Sequence, residues 1–203
     1  MVWNRSITGG DVVWPQIGQS VRFNSADSDE LDITFGSAEP TADAWSVSFW
    51  LKRVTLGTAQ TIFYAGDATD YEVLRLTSGD KLEYKLVTAG PGTDANYITA
   101  AVLKDPTDHY HIYADRNGET FRLYVNGVQI TTFDTADAPS TLDSIFGSAV
   151  LHRIGADHTP ANFLDGVVSD FHFVSGSAVG VTYFTTLDPT TSTYARHRAF
   201  SGV

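Results

Sequence analysis

The sequence predicts an all-β fold, a sandwich or a barrel. Three observations lead there. About a dozen short alternating runs recur with turn signals at intervals of roughly 8–12 residues, the spacing of antiparallel strands joined by tight loops. One of these runs is a hairpin legible residue by residue. No stretch repeats at the roughly 3.6-residue period of a long helix, so strands do not alternate with helices as in a parallel α/β fold.

The hairpin is Phe121-Arg122-Leu123-Tyr124-Val125-Asn126-Gly127-Val128-Gln129-Ile130-Thr131-Thr132-Phe133. A two-residue type I′ turn needs positive φ at both central residues, and Asn126-Gly127 tolerates that best. Val125 then pairs Val128, Leu123 pairs Ile130 and Phe121 pairs Thr132. Phe121, Leu123, Val125, Val128 and Ile130 share one face, expected to be buried, because side chains alternate along a strand.

The other elements follow in order. Residues 1–19 form a lead-in with Trp3, Trp14 and a Gly9-Gly10 break. Two Trp outside a periodic pattern point to docking, either on the domain's own surface or on a neighbouring subunit. From Ser20, Val21 and Phe23 alternate with Arg22 and Asn24. Leu31 to Phe35 alternates again, with turn formers 25–29 between. In Trp45-Ser46-Val47-Ser48-Phe49-Trp50-Leu51-Lys52-Arg53, one face is Trp45, Val47, Phe49 and Leu51. Trp50 falls on the polar face, where a large aromatic needs a covering element or a ligand. Strands are expected at 61–65, 71–76, 81–87, 97–102 and 109–114, with a loop at 89–96 and a turn at 115–119. Residues 140–147 have room for one helical turn, and 149–155 reads as a strand. In the strand from Val167, the side with Val167, Phe171 and Phe173 opposes Val168, Asp170 and His172. The chain thus divides into an extended N-terminal arm (1–19), a β domain (20–185) and a short C-terminal tail (186–203).

A chain of 203 residues makes one domain, or one domain with appendages. No run of about 18 apolar residues occurs, so no membrane span is expected. No basic segment followed by an apolar one opens the chain, so no secretory signal is expected. Cysteine is absent, which excludes disulfides, thiolate metal sites and Cys nucleophiles. The net charge of −11 repels phosphate backbones, so nucleic acid is not an expected partner. The same charge suits cation binding, or simply solubility.

The order of the pieces resembles a laminin-G-like, concanavalin A-like lectin domain, and more narrowly the version in structural proteins of tailed bacteriophages. The matching blocks begin with Ser20-Val21-Arg22-Phe23-Asn24, Asp27-Ser28 and the run from Trp45 to Arg53. Next come Gly57-Thr58-Ala59-Gln60-Thr61-Ile62-Phe63, Asp105-Pro106 and Tyr110-His111-Ile112. Leu123 to Gln129 and Phe163-Leu164-Asp165-Gly166 complete the series, which covers about residues 20–185. The resemblance implies a jelly-roll sandwich of two curved antiparallel sheets. It implies glycan binding in many members, Ca²⁺ at a loop rim in some, and for the phage members a place on the virion as a capsid decoration, fibre or tail-surface adhesin.

Enzymes on this fold include glycoside hydrolases, whose signature sets three carboxylates at alternate positions of one strand. Glu30-Leu31-Asp32 begins such a pattern, but Thr34 stands where the second Glu is needed. A non-catalytic protein is therefore expected. No Gly-x-Ser-x-Gly or phosphate-binding loop occurs. His109 and His111 share a strand face but lack a third metal ligand at readable spacing. Calcium needs several converging oxygen ligands, and the loop candidates are Asp67, Asp70, Asp157 and Asp165, unless these Asp cap turns. A sugar needs an aromatic platform, for which Trp50, Tyr64, Tyr71 and Tyr97 are the candidates. Arg196 and Arg198, in the basic cluster of the tail, join Trp3 and Trp14 as candidates for docking on other virion proteins or on another copy of this acidic chain. A free carbohydrate-binding module and a glycoside hydrolase are the alternatives.

Overall fold

The computed structural model describes residues 20–38, 43–88, 93–139, 143–187 and 195–197. In chain order the strands are β1 (Ser20–Phe23), β2 (Leu31–Thr34), β3 (Ala44–Arg53), β4 (Gln60–Gly66) and β5 (Tyr71–Leu76). They continue as β6 (Leu82–Val87), β7 (Thr93–Thr99), β8 (Tyr110–Asn117), β9 (Thr120–Val125) and β10 (Val128–Gln129). The last are β11 (Phe133–Asp137), β12 (Leu151–Ile154), β13 (Gly166–Ser175), β14 (Thr185–Leu187) and β15 (Ala195–His197), with a 3-10 turn at Val181–Tyr183.

Two antiparallel sheets pack as a jelly-roll sandwich. A six-stranded sheet runs β1-β13-β3-β8-β9-β10 and a seven-stranded sheet runs β11-β7-β6-β5-β4-β12-β2. The core lies between them. Trp45, Val47, Phe49 and Leu51 of β3 are each 0% exposed, so the alternation in the sequence is the alternation in space. From the other sheet Phe63, Leu74, Tyr84 and Leu86 face them. Burying a large apolar side chain stabilises by about 1.5–3 kcal/mol, so this double row is what holds the sheets together.

One acid sits inside this core. Glu72 of β5 is fully buried. Its Oε1 accepts from Trp45 Nε1 at 3.2 Å and from the Tyr84 hydroxyl at 2.7 Å. Its Oε2 accepts from Phe146 N at 2.7 Å and from the Ser144 hydroxyl. The carboxylate therefore ties the 143–147 loop to both sheets. Burial, and then the Glu72 charge, push the Tyr84 phenol well up, which keeps it a donor.

The outward face of the six-stranded sheet is polar yet covered. Ser46, Ser48, His111, Tyr113 and Asp115 are all buried there. The chain after β13 crosses this face. Val179 N donates to Ser46 Oγ at 2.9 Å and Gly180 N to the Tyr113 hydroxyl at 2.8 Å. Phe184 packs on Tyr113 and stacks on His172. A polar sheet face can be buried this way because each hydroxyl finds a partner.

The Asn126-Gly127 turn has φ of 52° and 78°, and Val125 pairs Val128 as the sequence indicates. The hairpin is shorter than expected. β10 ends at Gln129, and Phe133 opens β11 in the other sheet, opposite Thr99 rather than continuing past Thr132 to close on Phe121. Val128 is 54% exposed, a correction to its expected burial, because β10 is an edge strand. In β13 the register slips between Ser169 and His172, where Asp170 takes a φ of 51°. This bulge puts Val168, not Val167, on the core side with Phe171 and Phe173. The strand expected from residue 97 begins at Thr93, inside the expected loop. The strand expected to end at 114 runs to Asn117, and Gly118 makes the turn. Residues 143–147 form no helix; a single turn closes with Ser148 N donating to Ile145 O. The boundary drawn at 185 falls on the first residue of β14, which pairs with β15 of the tail.

Candidate functional site

The candidate site lies on the outward face of the seven-stranded sheet. One row of register partners crosses it: Asp32, Arg153, Tyr64, Val73, Lys85 and Asn96. Tyr71 lies two residues from Val73 on the same strand and face, diagonal to Tyr64. Such diagonal neighbours come within reach of aromatic side chains. The two rings stack, with centroids 5.7 Å apart and planes 17° off parallel.

The hairpin tip between β4 and β5 holds this pair in place. Asp67 Oδ1 accepts from Thr69 N at 2.7 Å, Asp70 N at 2.9 Å and the Thr69 hydroxyl at 2.9 Å. Those backbone N–H groups hold the Asp67 carboxyl down at about 2, below the usual carboxylate range. The Tyr64 hydroxyl donates to the Asp67 carbonyl. Burial raises the Tyr64 phenol, and the Tyr71 phenol and the Asp157 and Asp67 charges raise it further, so it stays protonated.

Arg153 builds the opposite bank. Its Nε donates to Asp32 at 2.9 Å, and its Nη1 donates to the carbonyls of Asp157 and His158 at 2.8 Å each. Asp157 in turn accepts from Ala161 N at 3.1 Å and Asn162 Nδ2 at 2.7 Å, which sets the loop. Arg75 reaches in from β5 with its Nε on Glu83 at 2.7 Å. The result is a groove of about 270 Å³ walled by Thr61, Tyr64, Tyr71, Arg75, Asp157 and His158 among others. Tyr71 is the half-exposed ring, and Tyr64, 4% exposed, backs it.

The expected platforms separate here. Tyr64 and Tyr71 come together. Trp50 belongs to the other sheet, half-buried with its ring 5.1 Å from His111. Tyr97 points to the inner side, packing on Phe121 at 4.9 Å and Phe133 at 5.1 Å.

The four carboxylates proposed for a metal also separate. Asp157 joins the tyrosine groove. Asp67 and Asp70 line a different depression with Ile145, Ser148 and Leu151. Asp165 pairs with Arg22 at 2.8 Å and accepts from the Thr55 hydroxyl. Among the described residues no three His, Asp or Glu side chains converge to hold a metal ion. His111 is buried, with Nε2 2.9 Å from Ser48 Oγ, while His109 is exposed.

Glu30 and Asp32 both engage Arg153, at 3.6 and 2.9 Å, as members of an ion-pair cluster. Trp3, Trp14 and Arg198 lie outside the described residues; Arg196 lies in β15, opposite Thr186. Among the described residues no helix is long and apolar enough to cross a membrane. Sequence reasoning missed Arg75, His158 and Arg153. The alternation of Tyr71, Val73 and Arg75 was a usable signal for Arg75. Nothing local marks Arg153, whose partner Asp32 is 121 residues away.

A sandwich of two antiparallel sheets with a stacked aromatic pair and polar side chains in a groove on one face defines a lectin-like domain. A family model described as Concanavalin A-like lectin/glucanases superfamily matches residues 25–178, and the chain belongs to that superfamily. Among solved structures, it is similar to the NanB sialidase of Streptococcus pneumoniae at 15% identity and a TM-score of 0.61, covering 84% of this chain and 29% of that one. It is similar to the LG4-5 domains of the mouse laminin alpha1 chain at 12% identity and a TM-score of 0.57, covering 84% and 45%. It is also similar to domain 4 of AbnA, an extracellular arabinanase of Geobacillus stearothermophilus in complex with arabinotriose. That match has 17% identity and a TM-score of 0.54, covering 83% and 77%. The chain thus spans less than half of the sialidase and laminin chains. No curated protein sequence matches it.

Proposed function

We propose that this domain binds a glycan in the groove on the seven-stranded sheet and does not cleave it. The observation that carries the reading is the Tyr64–Tyr71 stack in a groove of the seven-stranded sheet, flanked by Arg75, Asp157 and His158. A sugar ring offers an apolar C–H face for an aromatic ring and hydroxyls for polar neighbours, and this groove supplies both. That the arabinanase domain similar in fold holds arabinotriose supports the reading. Among the described residues that line the groove the one acid is Asp157, and it is engaged by Ala161 and Asn162. Cleavage with retention needs two carboxyl groups about 5–5.5 Å apart across the scissile bond.

Tyr71→Ala is the test, because Tyr71 is the less buried member of the stack. On a glycan array the unaltered protein is expected to select one sugar class. Tyr71→Ala is expected to weaken that binding on the order of 10-fold, the loss of about 1–2 kcal/mol of aromatic contact. A protein that selects no sugar, or a variant that binds as well as its parent, ends the reading.

We further propose that the domain works on a phage particle, as a capsid decoration, fibre or tail-surface adhesin. The ordered series of sequence blocks supports this, and the basic tail with Arg196 and Arg198 suits docking on an acidic virion neighbour. Mass spectrometry of purified particles is expected to find the protein at a fixed copy number. Its absence from the particles would refute this placement and leave the glycan reading standing.

A further inference from the structure

The loop at 143–150 is fastened to the inner face of the seven-stranded sheet by its own donors. The Ser144 hydroxyl and Phe146 N donate to the Glu72 carboxylate, and the next amide, Gly147 N, donates to His152 Nε2 at 3.3 Å. His152 of β12 pairs with Ala65 of β4, and Ala65 pairs with Glu72 of β5. The two acceptors therefore lie in one row across the sheet. Between them they hold Phe146, which is fully buried, stacked on Phe63 and edge-on to Trp45.

The bonds of His152 fix its protonation. Nδ1 lies 2.8 Å from the Val150 carbonyl, which can only accept, so Nδ1 carries the proton. Gly147 N can only donate, so Nε2 presents a lone pair and the ring is neutral. A proton on Nε2 would set N–H against N–H. It would also put a charge among the rings of Phe35, Phe63 and Phe173, whose centroids lie 4.5, 5.9 and 6.2 Å away. Burial accordingly holds His152 below the ordinary histidine value of about 6.5, against the opposing bond to Val150.

Other charged groups stand off from the ring. The β2 region brings Ile33 and Phe35, β4 brings Phe63 and Ala65, and β13 brings Phe173. Asp32 and Arg153 pair with each other on the outward face of the sheet. His172 of β13 pairs with Asp170 and stacks on Phe184. Asp67 and Asp70 border the loop beside Ile145 and Ser148, and Asp143 is exposed. Glu72 is the acid on the row of His152, with Tyr84 bonded to it and Arg116 beside Tyr84.

We propose that His152 is an acid-released latch: protonation at Nε2 frees Gly147 and lets the 143–150 loop leave the sheet, taking Phe146 with it. The closed loop accepts only the neutral ring, whereas an open loop leaves the ring to titrate in water near its ordinary value. Closure is therefore at full strength above about pH 6.5 and weakens as the pH falls below it. One proton is taken up on opening, so the open fraction is expected to be about 10-fold larger at pH 5.5 than at pH 7.5. The latch is independent of the glycan site.

Amide hydrogen exchange of the full chain tests it, with each rate referred to the intrinsic rate at the same pH. Protection of Phe146 and Gly147 is expected to fall about 10-fold from pH 7.5 to 5.5, and to stay below that of Val47 and Phe49 in β3. In His152→Gln, which offers Gly147 an acceptor that does not titrate, the fall is expected to vanish. In Glu72→Gln it is expected to persist. Should His152→Gln fail to fold, the ¹⁵N shifts of the ring in the unaltered protein decide, with Nδ1 protonated and Nε2 bare expected at pH 7.5. Protection that does not change with pH overturns the proposal, as does a loop no less protected than β3, which would open only with the whole fold. A fall that disappears in Glu72→Gln would assign the proton to Glu72 and overturn it too, as would a proton on Nε2 at pH 7.5.

Discussion

Glu72→Ala is expected to lower the stability by about 4 kcal/mol. The side chain is fully buried and accepts from four donors: Trp45 Nε1, the Tyr84 and Ser144 hydroxyls, and Phe146 N. Removing the carboxylate orphans all four. Each buried unsatisfied polar group costs about 1–3 kcal/mol, and water entering the space left by the side chain recovers part of that sum. For a chain of this size each kcal/mol moves the melting temperature by about 2–4 °C, so a fall of roughly 10 °C is expected in a thermal melt. Glu72→Gln keeps the shape and one acceptor oxygen, so a smaller fall is expected. A melt of Glu72→Ala within about 2 °C of the parent would show that the carboxylate does not hold the loop to the sheets.

Glu72 also shows what the sequence could not disclose. It stands between Tyr71 and Val73 in a strand that reads as ordinary, and its partners Ser144 and Phe146 lie 72 and 74 residues away. A buried acid is indistinguishable from a solvated one until the loop that covers it is placed. Local signals fared better. The row Trp45, Val47, Phe49, Leu51 declared its burial by alternation alone, and Asn126-Gly127 declared its turn by the φ values it permits. Alternation fails where the backbone breaks step, as at the Asp170 bulge, and where a strand sits at an edge, as Val128 and Ile33 do. An edge is a property of the whole sheet and leaves no mark in a five-residue window.

The site divides along the same line. Tyr64 and Tyr71 belong to one hairpin, so their meeting follows from a short loop. Trp50 and Tyr97 are just as aromatic in sequence, but one belongs to the other sheet and the other turns inward. Which face of a strand is outward depends on its neighbours, and Tyr97 takes its orientation from Tyr84 across the β6–β7 pairing. The polar half of the groove comes from a loop that Arg153 holds by its carbonyls. Backbone acceptors carry no residue-type signature at all.

Gly66→Ala is expected to damage both the fold and the groove. Gly66 has a φ of 112°, where an L side chain is strained, and it pairs with Tyr71 where β4 meets β5. A Cβ there would lie 2.1 Å from the Asp70 carbonyl oxygen and 2.8 Å from Tyr71 Cα. Both contacts are backbone, so no rotamer change relieves them, and the hairpin has to open. The φ strain alone costs about 1–3 kcal/mol. With the clash added, roughly 4 kcal/mol is expected, a fall in melting temperature of about 8–16 °C. Gly57→Ala separates the two causes. Gly57 also has a positive φ, 74°, but nothing lies within 4 Å of its Cβ position, so only the strain term acts. The opened hairpin displaces Tyr71, so Gly66→Ala should also lose glycan affinity that Gly57→Ala retains. Paired melts and glycan titrations of the two variants decide it. If both melt alike and bind alike, the Asp70–Tyr71 backbone is not what positions the aromatic stack.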